Sequence, residues 1–313
     1  MITVVIPVKD GGEDLRRCLE GVFAQRLDED FEVVVVDSGS TDGSRELAAA
    51  KGATVVDIPA AEFNHGSSRN LGARAGKGEI LVFTVQDAFP VDADWLGRLV
   101  APLREDDRVA GVYGRQLPHD DATPPEVWFL NFLYGPRPRT QRASSPHELS
   151  LETTMFSNVS SAIRRSAWEP AGFDDEIIMS EDHEWARRAL LEGWQVEYRP
   201  EAAVRHSHRY SIADAFRRFF DSGVSAERAY LAGGEEASGV LNSAAVRYAC
   251  GEIGWLVRTG RVAWIPYTVA YETAKWLGLQ LGHRWRMVPA ALRPRLSALP
   301  GYWGPGRSPG QGR

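Results

Sequence analysis

Cysteine is scarce in this chain. Cys18 and Cys250 are the only two and lie far apart, forming neither a metal-binding spacing nor a disulfide framework. A reducing compartment follows, with the cytoplasm as its default. Positive charge is not in excess either: 36 Lys and Arg face 42 Asp and Glu, for a net charge of −6. That balance leaves no global basic field to hold nucleic acid. Long apolar runs are missing as well. The most apolar C-terminal stretch, 262–281, is interrupted by Pro266, Glu272 and Lys275, which is too broken for a spanning helix but compatible with lying on a membrane surface. A strand begins straight after Met1 with no basic leader or apolar signal core before it, so no secretory signal is expected. After that strand the turn reads Pro7-Val8-Lys9-Asp10-Gly11-Gly12, and the Gly-x-Gly-x-x-Gly of a dinucleotide-binding turn is absent.

What is present is an alternation of strand and helix patterns through the first half. Apolar β-formers at 2–8, 31–37, 53–58, 80–85 and 109–114 predict strands, and helical spacing predicts helices after the first strand, at 44–51, around 68–75 and at 95–103. Repeated βα units imply an α/β fold with a mainly parallel, doubly wound sheet and right-handed crossovers. Residues 115–150 lose the period and carry six prolines among Pro118 to Pro146, which predicts a long loop with at most a short helix at 127–134. From Asp214 onward the pattern is helical, with Phe216, Phe219, Phe220 and Val224 on one face and later Val269, Thr273, Trp276, Leu277 and Leu281, both stripes expected to pack as core. These patterns divide the chain into a domain over 1–213, a helical region over 214–300 and a Gly-, Pro- and Arg-rich tail over 301–313 that is expected to fray.

Polar residues concentrate at the strand ends. The buried run 80–85 closes on Gln86-Asp87, and a carboxylate at the carboxyl end of a central strand faces the crevice where open α/β sheets bind ligands. The same Asp can equally serve the turn before Pro90. The second strand ends at Asp37, followed by Ser38-Gly39-Ser40-Thr41-Asp42-Gly43, a tight turn suited to a nucleotide, with Asp37 accepting from ribose or base and Asp42 capping the next helix. His65, Arg69 and Asn70 form a third polar patch, within reach of a phosphate or ribose. Glu181-Asp182 stand where a helix starts, either as acids favoured by its dipole or as a catalytic pair. His206 and His208 flank one residue and share a face if that segment is extended.

The ordered set IPVKD (6–10), VVDSGSTDGS (35–44), HGSSRNLGA (65–73), VQDAFP (85–90), FSNVSSAIRRSAW (156–168), FDDEIIMSEDHEWARRALLEGW (173–194), RHSHRYS (205–211) and RLSALPGYW (295–303) resembles the family 2 glycosyltransferases of GT-A fold. Within that family the set is most like the bacterial rhamnosyltransferase branch that builds cell-surface polysaccharide. The resemblance implies a nucleotide-diphosphate sugar donor across the first strands, with Pro7, Val8, Lys9, Asp37, Ser38, Arg69, Asn70 and Gln86 on its side of the site. It also implies a divalent cation, Mn²⁺ or Mg²⁺. Where the family carries Asp-x-Asp this chain reads Val85-Gln86-Asp87, so Asp87 is the retained ligand, with His206 as a further one.

Asp182 is then the expected general base, with Asn158, Glu181 and His208 on the acceptor side. The activity implied is inverting transfer, with deoxythymidine-diphosphate rhamnose as the first donor to consider and a saccharide or lipid-linked saccharide as acceptor. Aromatics and cations at Trp264, Tyr267, Tyr271, Trp276, Arg284, Trp285 and Arg286 suit peripheral contact with a membrane. Two rival readings are a non-catalytic nucleotide-sugar binder and a phosphohydrolase with Asp37 as nucleophile. The second lacks the further Asp that such an enzyme needs two residues on, where Gly39 stands.

Overall fold

Strands whose two faces are both covered by helices read as unbroken apolar runs, and the first half of the chain is built that way. The computed structural model describes residues 1–229 and 235–304. β1 (Ile2–Val8), α1 (Gly12–Phe23), β2 (Phe31–Asp37), α2 (Ser44–Ala50), β3 (Thr54–Asp57), α3 (His65–Ala75) and β4 (Ile80–Thr84) alternate as expected. Successive residues of β1 point to opposite sides: Ile2, Val4, Ile6 and Val8 enter the core beneath α1, and Val5 enters the core on the other face. α3 lies close against that second face. A Cβ on Gly72 would collide with Val5 and Val36, and one on Gly66 with the carbonyl of Asp174, which accounts for both glycines of the segment.

The second half departs from simple alternation. β5 (Phe89–Pro90), α4 (Trp95–Glu105), β6 (Val109–Leu117), α5 (Pro124–Leu133), β7 (Arg139–Gln141), β8 (Ser160–Arg164), α6 (Arg165–Trp168), α7 (Glu181–Leu191) and β9 (Gln195–Arg205) follow. The sheet runs in the order β3-β2-β1-β4-β8-β6-β9-β5, with β7 paired to β9. It is mixed. β1 to β4 are parallel, as is the β6–β9 pair, whereas β8 runs against both β4 and β6, and β5 and β7 run against β9. The span 115–150, expected as loop with a short helix, holds α5 and the strand β7 and is anchored by them.

α8 (Ile212–Ala229), α9 (Glu235–Arg258), α10 (Ile265–His283) and α11 (Arg293–Leu296) complete the chain. The apolar stripe of α10 does not form the expected core. Val269, Trp276 and Leu277 are about half exposed, and the buried face is Thr268, Tyr271, Lys275, Gly278 and Gly282. The reason is steric: Gly278 and Gly282 sit directly on the α8 carbonyls of Phe216 and Phe220, a backbone-to-backbone approach that larger side chains would prevent. Tyr302, counted with the fraying tail, is buried against Ile178 and Met179 and donates to the Glu176 carbonyl at 2.6 Å, so this part of the expected tail is packed. The remainder of the expected tail, 305–313, lies outside the described residues.

Candidate active site

The carboxyl ends of β1 and β2 are knitted together before any ligand is considered. Ser38 donates to the Val8 carbonyl through both its amide and its hydroxyl, at 2.9 and 3.0 Å. Pro7 pairs in register with Val36, and Val8 with Asp37. Lys9 Nζ donates to the Gly39 carbonyl and lies 3.3 Å from Asp10. Asp37 is fully buried. Its Oδ1 accepts from the amides of Gly39 and Ser40 at 2.9 and 2.8 Å, while Oδ2 has no partner. A buried carboxylate oxygen without a donor is costly unless something supplies one. Asp42, read as a cap, accepts from Ser44 N at 3.1 Å and also from Gly12 N at 2.9 Å, clasping the turns after β1 and β2 to one another.

Gln86 spends both ends of its amide on the Lys9 backbone, accepting from N at 2.8 Å and donating to O at 3.1 Å. That fixes the turn carrying Asp87, three residues past the end of β4. Asp87 Oδ1 lies 3.8 Å from His206 Nε2, and Oδ2 lies 3.6 Å from His208 Nδ1. One ligand atom from each of the three residues falls within 4.8 Å of the others. His206 Nδ1 is 2.9 Å from Gln116 Oε1, an acceptor, so the ring proton sits on Nδ1 and the Nε2 lone pair faces Asp87. Burial, reinforced by His208, holds the His206 imidazole well below its usual range and therefore neutral. One carboxylate and two neutral imidazoles, with the lone pair of His206 oriented by a hydrogen bond, fit a divalent transition ion such as Mn²⁺. The residue expected on the acceptor side, His208, stands as close to Asp87 as His206 does.

The acidic pair lies on the other side of a short polar chain. Gln116 Nε2 donates to Ser157 Oγ at 2.9 Å and to the Tyr134 hydroxyl at 2.5 Å. The next residue, Asn158, donates its backbone amide to Asp182 Oδ2 at 3.2 Å and its side-chain amide to Glu181 Oε1 at 3.2 Å. Glu181 is buried in an ion pair with Arg69 at 3.1 Å, and Arg69 also donates to the His65 carbonyl. Burial raises the Glu181 carboxyl, but Arg69 and His65 outweigh it and keep it ionised. Asp182 differs: burial and the neighbouring Glu181 charge both push its carboxyl above the ordinary aspartate range. Ser180, immediately before the pair, is held at φ 66°, a left-handed backbone that a non-glycine residue rarely adopts and that clusters at functional sites.

The expected residues thus fall into two groups. Pro7, Val8, Lys9, Asp37, Ser38 and Gln86 stand at or just past the ends of β1, β2 and β4, while Asp87 joins His206 and His208 on one side of the polar chain and Asn158 joins Glu181 and Asp182 on the other. Arg69 faces the acid pair, and Asn70 is committed elsewhere. The Asn70 amide donates to the Phe173 carbonyl and accepts from Phe173 N, both at 2.8 Å, bracing the segment that leads to α7. Gln116, Ser157 and Tyr134 were not expected. Ser157 lies inside the motif at 156–168 and Tyr134 at the end of the expected helix 127–134, but the sequence assigns neither a role, and a lone Gln at 116 carries no motif.

Comparison with known proteins adds findings of three kinds. The model of the family described as Glycosyl transferase family 2 matches residues 3–170. The chain is similar to the O-antigen chain rhamnosyltransferase RfbN of Salmonella typhimurium, 33% identical over 305 residues that cover 96% of each protein. It is also similar to the O-antigen chain rhamnosyltransferase WbaN of Salmonella anatum, 32% identical over 304 residues, 96% of this chain and 95% of that one. Among solved structures, the mannosyltransferase PcManGT of Pyrobaculum calidifontis in complex with GDP-Man and Mn²⁺ superposes with a TM-score of 0.59 at 19% identity, over 89% of this chain and 86% of that one. S. aureus TarS 1-349 in complex with UDP superposes at 0.52 and 16% identity, over 96% and 86%. At those identities the likeness is one of fold, the GT-A arrangement of a mixed sheet flanked by helices.

Proposed function

The chain belongs to glycosyltransferase family 2, and from that membership we propose an inverting, metal-dependent transfer of a sugar, rhamnose first among candidates, from a nucleotide-diphosphate donor to a hydroxyl of a saccharide or lipid-linked saccharide. The single observation that carries this reading is the polar chain His206–Gln116–Ser157, continued by Asn158 to Asp182, which ties a three-ligand cluster to a carboxylate of raised pKa. The bound ions and nucleotides of the structural neighbours, Mn²⁺ with GDP-Man in one and UDP in the other, support the donor class. The two rhamnosyltransferase relatives support the sugar.

In this reading the nucleoside lies across the ends of β1 and β2, where the free Oδ2 of Asp37 accepts a hydrogen bond and Pro7 forms the wall, with the Val8 side chain behind it in the core beneath α1. Asp87 and His206, joined by His208, would hold a divalent ion, and such an ion would supply positive charge to offset that of a diphosphate leaving group. Asp182 accepts the proton of the acceptor hydroxyl as that oxygen attacks the anomeric carbon from the face opposite the leaving group. Asn158 and the helix start fix Asp182 in place, and burial together with the charge of Glu181, kept ionised by Arg69, raises the basicity of Asp182. The half-exposed Val269, Trp276 and Leu277 of α10, with Trp264 before them, support peripheral contact with a lipid surface. We place the catalytic domain at 1–213 and treat the helices from 214 as its acceptor-side extension.

The test is donor binding and transfer with and without chelator. Asp87→Ala is expected to weaken nucleotide-diphosphate binding only when Mn²⁺ is present, and chelation to abolish transfer with inversion at the anomeric carbon. Full transfer in excess chelator, or a product that retains the donor's configuration, overturns the reading.

A further inference from the structure

The segment that brings two histidines to the ion cluster is pinned residue by residue. Past β9, residues 206–211 have no regular structure, so contacts outside the sheet ladder must hold their backbone. His206 donates its amide to the Leu117 carbonyl at 2.9 Å, and Ser207 Oγ accepts from the His119 amide at 3.0 Å. Both partners lie at or just past the end of β6. The His208 amide turns elsewhere, to the carboxyl of Glu126, a buried residue in the first turn of α5. Of the two histidines, His208 is thus the one held from a helix.

Glu126 is in turn faced by α10. Lys275 of that helix is buried, and its charge acts on the Glu126 carboxyl. The ammonium is 2.9 Å from Glu272 and lies over four rings: 4.4 Å from Phe129 of α5, 4.9 Å from Phe219 of α8, 5.3 Å from Tyr248 of α9 and 5.6 Å from Tyr271 of α10 itself. An ammonium withdrawn from water gains most from such faces, so four helices meet on one cation and together set its place. Burial pushes the Glu126 carboxyl up to about 7, against the pull of Lys275 and of the His208 amide. The contact with that amide does not depend on titration, because a protonated carboxyl keeps an oxygen able to accept.

We propose that Glu126 is a positioning residue for the ion cluster: fixed by Lys275, it fixes the His208 backbone, and so presents that imidazole beside Asp87 and His206. The third ligand is then delivered by the helices, and the cluster is complete only with α10 in place. This rests on the reading of Asp87, His206 and His208 as an ion site. Mn²⁺ binding to the full-length protein is measured by calorimetry and by pulsed electron spin resonance, whose nitrogen couplings report the imidazoles on the ion, while melting in chelator reports on the fold. Wild type is expected to show both imidazoles. Glu126→Gln keeps an accepting oxygen and is expected to stay within about twofold of wild-type affinity. Glu126→Met fills a similar volume and leaves Lys275 its Glu272 partner, but removes the acceptor. It is expected to lose about tenfold in Mn²⁺ affinity, the lower end for partners that orient a metal ligand, together with one imidazole coupling. Glu126→Asp keeps the charge facing Lys275 and withdraws the carboxyl by one carbon, so the same loss is expected in a variant whose buried charges are intact.

Two further variants separate positioning from general damage to the helices. Lys275→Met combined with Glu272→Leu removes that ion pair whole and takes away the charge facing Glu126, so weaker Mn²⁺ binding is expected. Glu252→Gln alters the same helical region at a fully buried acid whose carboxylate oxygens have no partner, and is expected to leave Mn²⁺ affinity unchanged. Unaltered binding in Glu126→Met and Glu126→Asp, an equal loss in Glu126→Gln, or a tenfold loss in Glu252→Gln overturns the proposal. Wild-type protein that takes up no Mn²⁺ overturns instead the ion-site reading beneath it, so the two failures are told apart.

Discussion

At the residue scale, the two adjacent acids of α7 have opposite electrostatic fates, and each makes its own prediction. Asp182 must be ionised to accept a proton, and its carboxyl is raised by burial and by Glu181. Transfer is therefore expected to rise with pH through a value above the ordinary aspartate range and to fall away on the acid side. Asp182→Asn keeps the shape and removes the basicity, so it is expected to cost at least about a hundredfold in rate, the lower end of general-base contributions, with donor affinity unchanged. Steady-state kinetics across pH check both statements, and a normal rate in the variant refutes the role. Glu181 answers to a different measurement. Its carboxylate is buried against Arg69 with Asn158 as a further donor. Removing either partner leaves an uncompensated buried charge, so Arg69→Leu and Glu181→Gln are expected to cost about 3–5 kcal/mol of stability, read as a lowered denaturation midpoint.

At the scale of elements, what could be read from sequence depended on whether an element's pattern is local. β1, β2, β4 and the helices between them are apolar runs or stripes sufficient in themselves; Asp37 closes β2, and Asp87 stands out as the acid three residues past β4. β8 reads Ser-Ser-Ala-Ile-Arg, too short and too polar to stand out, yet Ser160 and Ser161 are fully buried because neighbouring strands cover them. β9 carries Pro200 and a register irregularity against β6, which breaks its alternation. Gln116 was illegible for the same reason: its partner His206 arrives from a distant strand. The α10 stripe misled because hydrophobicity alone ranks Trp276 and Leu277 above Gly278 and Gly282, whereas the close approach to α8 selects the glycines. Gly282→Leu is accordingly expected to force the two helices apart and destabilise the chain by at least about 1–3 kcal/mol, the range for overpacking. A thermal melt of that variant beside Leu277→Ala, an exposed position expected to be near neutral, checks it.

At the scale of the whole molecule, the outward α10 face with Trp264 before it makes an experiment on membranes decisive. Among the described residues no helix is long and apolar enough to cross a bilayer. Of the five aromatics expected at a headgroup interface, Tyr271 and Trp285 are buried and Tyr267 is partly buried and stacked on Tyr271, leaving Trp264 and Trp276 at 37% and 46% exposure as the side chains able to insert. The chain is expected to sediment with anionic liposomes at low salt, and Trp264→Ala with Trp276→Ala to reduce the bound fraction several-fold without changing transfer to a water-soluble acceptor. Absence of sedimentation counts against contact through this face.

The insertion of β8 between β4 and β6 bears on how the chain is made. β4 is complete at Thr84, but the strand that covers its open edge begins at Ser160, and β6 waits for β9 at Gln195. During synthesis the amino-terminal strands emerge with an apolar edge unpaired until the polypeptide is half finished, the state in which strand edges recruit one another. A nascent chain stalled before residue 160 is thus a client for chaperones, and a truncation there should yield aggregates in place of a small nucleotide-binding domain.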